Sequence, residues 1–134
     1  MRSRRFVMGC AICTAVAADL TATEAAAQAT GGVSRSILQQ TDLPGGTHVV
    51  ILVAAEIAPG AEVARHTHPG IESAYVLEGE CTLQIAGSPD RGIGPGQGFQ
   101  VPAETAHGVK NGPRATKLAI TYTVEKGKPL ASPA

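Results

Sequence analysis

Residues 60–79 read GAEVARHTHPGIESAYVLEG, and residues 96–111 read GQGFQVPAETAHGVKN. Between them they hold His66, His68, Glu72 and His107, three of the four histidines of the chain. Imidazole nitrogens together with a carboxylate oxygen form a ligand set for a divalent transition metal. The pattern therefore predicts one bound metal ion.

The spacing favours strands. His66 and His68 are i and i+2, so on a strand their side chains share a face. A helix would space its histidines at i, i+4. Pro69-Gly70 breaks the strand and lets the chain fold back. Glu72 then opens the next strand and can return its carboxylate to the same centre. His107 comes from a distant stretch, just after the Pro102 turn. Two neighbouring ligands, one across a turn and one from a remote strand suit a site inside a curled sheet.

Written as patterns, the two segments are G-x5-H-x-H-x3-E-x6-G and G-x5-P-x-E-x2-H-x3-N. Together they resemble the two-motif signature of the cupins, small antiparallel β-barrels of jelly-roll architecture. Each fixed position matches by chance roughly one time in twenty, so both motifs in order and in register are a specific signal. The one departure is Glu104, where the second motif of the family usually has Gly. The resemblance implies that His66, His68, Glu72 and His107 are the metal ligands. It also implies a homodimer, because small cupins pair through sheet edges that a lone jelly roll leaves open.

Composition agrees with one small all-β domain. The chain has 134 residues, with 16 Gly, 9 Pro and few aromatics, near the lower size at which a domain sustains its own core. Formal net charge is zero, which points away from a nucleic-acid partner. Arg65, Lys110, Arg114 and Lys117 read as scattered, solvated charges.

The first 29 residues read as an export signal. Met1-Arg-Ser-Arg-Arg is a basic start, and residues 6–18 are apolar but too short to span a bilayer. Ala27-Gln28-Ala29 is an A-x-A cleavage pattern, which places the cut after Ala29. Residues 3–8, SRRFVM, also resemble a twin-arginine signal. The expected location is the periplasm or exterior of a bacterium, with no membrane anchor after cleavage. Cys10 and Cys13 leave with the leader, so Cys81 is alone and no intramolecular disulfide forms. Cys81 is then a reactive thiol, an intermolecular bridge or a buried small side chain. The clean alternation Cys81, Leu83, Ile85 favours the last.

The expected organisation is a flexible segment at 30–35, a cupin barrel at 36–124 and an extended tail at 125–134. Within the barrel, residues 36–41 form a first strand. Residues 47–57 are apolar enough for a strand buried on both faces. Residues 81–86 pair back on 72–77 as a hairpin, 87–98 is a loop, and 115–124 alternates as a half-buried strand. His48 has no motif around it and reads as structural. Gln84, Gln97, Gln100 and Tyr122 are candidates for a pocket lining. Glu104 is either an exposed turn carboxylate or the general acid or base of a reaction.

Three functions are open. The first is a metalloenzyme of the oxygenase, decarboxylase, lyase or isomerase class, acting on a small oxygen-rich metabolite. The second is a protein that binds such a molecule without transforming it. The third is a barrel that the metal only braces. The ligand set suits Fe, Mn, Ni, Cu, Co or Zn, and fold does not choose among these functions.

Overall fold

The computed structural model describes residues 28–134. Among these residues every element is a strand, arranged in two antiparallel sheets. The larger sheet runs β1 (Gln28–Thr30), β2 (Val33–Asp42), β3 (His48–Ile57), β10 (Thr116–Glu125), β5 (Gly70–Glu78) and β8 (Gly98–Val101). The smaller runs β11 (Ser132–Pro133), β4 (Glu62–Thr67), β9 (His107–Asn111), β6 (Cys81–Ile85) and β7 (Arg91–Ile93). This is the all-β architecture expected of a jelly roll. The expected leader lies outside the described residues, except for Gln28 and Ala29, which fall in β1.

Period-2 alternation builds the core. Ile51, Val53, Ala55 and Ile57 of β3 face Leu118, Ile120, Tyr122 and Val124 of β10 along one inner surface. Cys81 and Leu83 of β6, Val109 of β9 and Ile93 of β7 close it from the smaller sheet. Cys81 is buried and unpaired, as its alternation suggests.

Several local expectations are corrected. The apolar run at 47–57 is buried on one face only; Leu52 is 40% exposed, because nothing among the described residues covers the outer side of the large sheet. Residues 30–35 are not a loose lead-in, since Gly31-Gly32 turns β1 onto β2 and Val33 enters the core. Residues 81–86 do not pair with 72–77. Instead β5 pairs with β10 and β8, whereas β6 pairs with β9 and β7, so the Gly79 turn carries the chain from one sheet to the other. The loop at 87–98 contains the short strand β7. The extended tail is paired near its end, where Ser132 and Pro133 join Thr67 and His66 of β4.

Two glycines of the 60–79 segment explain themselves through space. Gly79 sits at φ +81°, and a Cβ there would drive into the Ala115 carbonyl. Gly70 lies directly against the Thr123 backbone, leaving no room for a side chain where β5 meets β10. The motif asparagine, Asn111, is a staple. Its Nδ2 donates to the carbonyls of Ile57, Ala58 and Arg114 at 2.9 Å each, and its Oδ1 accepts from the Thr116 hydroxyl at 2.6 Å. It thereby holds three turns at the end of the sandwich remote from the histidines.

Candidate metal centre

Each candidate ligand is placed by a different element. His66 ends β4, where a bulge between Val63 and His66 shifts the register and brings His66 opposite His107 of β9. His68 follows in the turn, and Glu72 points inward from β5 on the opposite sheet. The Pro69-Gly70 turn thus crosses between sheets.

The four donor atoms converge. His66 Nε2 is 3.1 Å from His68 Nε2, and Glu72 Oε2 is 3.0 Å from His68 Nε2 and 2.9 Å from His107 Nε2. One ligand atom from each residue lies within 4.8 Å of all the others. His68, Glu72 and His107 are buried, and His66 is partly so.

The outer nitrogens explain the orientation. Nδ1 of His66 donates to the Ala64 carbonyl at 2.7 Å, Nδ1 of His68 to the Leu130 carbonyl at 2.6 Å, and Nδ1 of His107 to the Thr105 carbonyl at 2.9 Å. A carbonyl only accepts, so each Nδ1 carries the proton and each neutral ring turns its Nε2 lone pair inward. Three lone pairs and a carboxylate then face one point. That arrangement is repulsive unless a positive charge stands among them, and one cation satisfies all four groups at once. The donor set suits a divalent transition metal.

In the metal-free protein a proton stands in for that cation, and Nε2–H of protonated His107 donates to the Glu72 carboxylate. Burial alone would raise the Glu72 pKa, but its bonds to His107 and His68 outweigh that and hold it at about 2. Burial alone would lower the His107 pKa, yet the bonds to Glu72 and the Thr105 carbonyl raise it. His66 keeps the sign of its burial and is lowered.

Two spaces adjoin the cluster. An inner cavity of about 30 Å³, lined by His66, Glu72, His107, Tyr122 and core side chains, has room for roughly one water. An open cleft of about 510 Å³ lies on the other side, between Arg35, Val63, His66, His68, Tyr122 and the tail residues Leu130 to Pro133. A larger cleft of about 850 Å³ separates β8 from β6 and β7 and is lined by none of the four residues, although Phe99 borders both it and the inner cavity.

The remaining sequence candidates divide. Tyr122 joins the site: its ring centroid is 4.8 Å from that of His68. Burial and the neighbouring Glu72 charge raise its pKa, against the pull of Arg35, so its hydroxyl stays protonated. Gln84 is bonded to Asp90, Gln97 to the Gly94 amide and Gln100 to Ser73, all away from the cluster. His48 bonds to Thr47 and is remote as well. Glu104 is exposed and lines neither space at the cluster. Its backbone is at φ +56°, and its N–H donates to the His68 carbonyl at 2.9 Å. Its backbone, rather than its carboxylate, touches the site. Arg35 and the Leu130 carbonyl escaped the sequence reading. The only signal for Arg35 is a charge two residues after a core valine on one strand; a backbone carbonyl leaves no signal.

A family profile described as the cupin domain matches residues 53–124, more than half of the chain. No curated protein matches the sequence. Among solved structures, a cupin-like protein from Thermotoga maritima superposes with a TM-score of 0.63 at 25% identity, covering 78% of this chain and 77% of its own. The polyketide cyclase RemF from Streptomyces resistomycificus gives 0.59 at 24% identity, covering 79% and 72%. DMSP lyase DddQ from Ruegeria pomeroyi gives 0.66 at 18% identity and 82% of this chain, of which the match spans 61% of the lyase. The first two likenesses run through most of both chains, whereas the lyase has over a third of its length beyond the match. The profile match, the two facing sheets and the converged ligands lead to one assignment: this chain belongs to the cupin family.

Proposed function

We propose that this protein binds one divalent transition metal through His66, His68, Glu72 and His107 and acts there as an enzyme on a small oxygen-rich metabolite. The observation that carries the reading is the set of three Nε2 lone pairs held inward by three backbone carbonyls around a buried carboxylate. When bound, such a metal supplies a Lewis acid or a redox centre for oxygenase, decarboxylase, lyase or isomerase chemistry. The chain itself orients the four ligands, excludes bulk water from the inner side of the site and leaves the outer side open to the 510 Å³ cleft. Small-molecule enzymes among its structural neighbours support the same class.

A non-catalytic metal-dependent binding protein is the second reading. The exposure of Glu104 favours it, because the acid or base named from sequence does not reach the ligand space. Export to the periplasm or beyond, directed by residues 1–29, remains part of the proposal. So does a homodimer; the uncharged outer surface formed by Leu52, Ala119, Ile71 and Tyr75 supports it. The deciding experiment measures metal per chain after native purification, then dioxygen uptake and product formation with the loaded protein and small carboxylates, enediols and phenols. One metal per chain with turnover supports the enzyme. Metal with binding but no turnover supports the second reading, and no metal overturns both.

A further inference from the structure

Arg35 points the wrong way for a surface charge. It lies two residues from Val33 on β2, and Val33 is buried in the core. Its ladder partner Ala55 is buried too. The strand therefore sends the Arg35 side chain inward, where it is half-buried. Among the described residues no carboxylate stands within ion-pair distance of it. A half-buried guanidinium with no carboxylate beside it among the described residues is available to an anion that enters the site.

Its surroundings say where that partner comes from. Arg35 and Tyr122 both belong to the inner face of the large sheet and border the same two spaces. Arg35 and Tyr122 line the open cleft together with His66 and His68, and both also border the inner cavity with Glu72 and His107. The cleft walls opposite them, Val63 and Leu130, are apolar. Its volume of about 510 Å³ suits a small metabolite.

We propose that Arg35 and Tyr122 are the anion-recognising half of this site, and that its ligand is a small carboxylate. The guanidinium takes the carboxylate in its two-pronged geometry, the Tyr122 hydroxyl donates to the same group, and the rest of the ligand extends toward the four-ligand centre. The placement of that second end rests on the metal-dependent reading above; the anion site itself rests on Arg35 and Tyr122 alone.

The test uses acetate, malonate and succinate, each beside its neutral amide, titrated calorimetrically into the protein loaded with Co(II) and into the metal-free protein. At least one carboxylate should bind better than its amide. Arg35→Gln should weaken that carboxylate about 10- to 100-fold, leave the amide unchanged and keep the cobalt content of the parent. Arg35→Lys, which retains charge without the fork, should fall between. Equal binding of carboxylate and amide by the parent, equal carboxylate binding by Arg35→Gln and parent, or loss of cobalt from a folded Arg35→Gln would each overturn the proposal. Failure of the parent to take up cobalt removes the metal reading only, because the metal-free titrations still decide for or against Arg35. If Arg35→Gln does not fold, the comparison of Arg35→Lys with the parent decides instead.

Discussion

The carbonyl of Leu130 accepts a 2.6 Å hydrogen bond from Nδ1 of His68, across a sequence separation of 62 residues. The C-terminal segment thus fixes the tautomer of a candidate ligand, and β11 anchors that segment beside His66. Removing residues 130–134 should lower metal affinity about 10- to 100-fold, the usual effect of losing the partner behind a ligand histidine. Competition with a chelating dye checks this. The urea midpoint of the metal-free protein should move little, because β11 contributes only two paired residues.

His107→Ala should remove most bound metal, whereas His48→Ala should leave it unchanged. His107 Nε2 is 2.9 Å from Glu72 Oε2 inside the cluster, and His48 bonds only to Thr47. Elemental analysis after dialysis measures both. Equal metal contents would sink the ligand assignment.

Glu104→Gly should keep metal binding and stabilise the fold by about 1 kcal/mol, the usual cost of a side chain in the left-handed region. Glu104 occupies that region at φ +56°, while its N–H bond to the His68 carbonyl is made by backbone and survives the change. Urea unfolding gives the stability. The same variant decides whether the exposed carboxylate matters to turnover, and full activity is expected.

Cys81 should resist alkylation in the native protein. It is buried in β6, and burial raises its thiol pKa, so little thiolate exists at pH 8 to react. Iodoacetamide labelling followed by mass spectrometry should give labelling only in denaturant. Rapid native labelling would restore the reactive-thiol reading.

The clustering of the candidate quartet was legible because it is local: two short segments state both the donors and the turns that gather them. Strand positions were legible too, since alternation such as Leu118, Ile120, Tyr122, Val124 follows directly from the pleat. Pairing was not. Residues 72–77 and 81–86 look like a hairpin in sequence, yet the Gly79 turn sends them to different sheets, and only the packed whole decides that. Arg35 and Leu130 were invisible for a related reason. Each acts from outside the motifs, one through the direction of a strand and the other through a carbonyl that every residue possesses. The outer face of β3 misled in the opposite sense, because Leu52 reads as core while no element among the described residues covers it.

The ligands are also divided between the two sheets. Glu72 comes from the larger sheet; His66 and His107 come from the smaller. A cation held by all of them is therefore a crosslink between layers, equivalent to a staple that closes one edge of the sandwich. At the edge between β8 and β7 the 850 Å³ cleft keeps the layers apart. Loading and unloading the ion would change how the layers breathe about that open edge. Occupancy of the site would thus bear on the mechanical stiffness of the fold as well as on its chemistry.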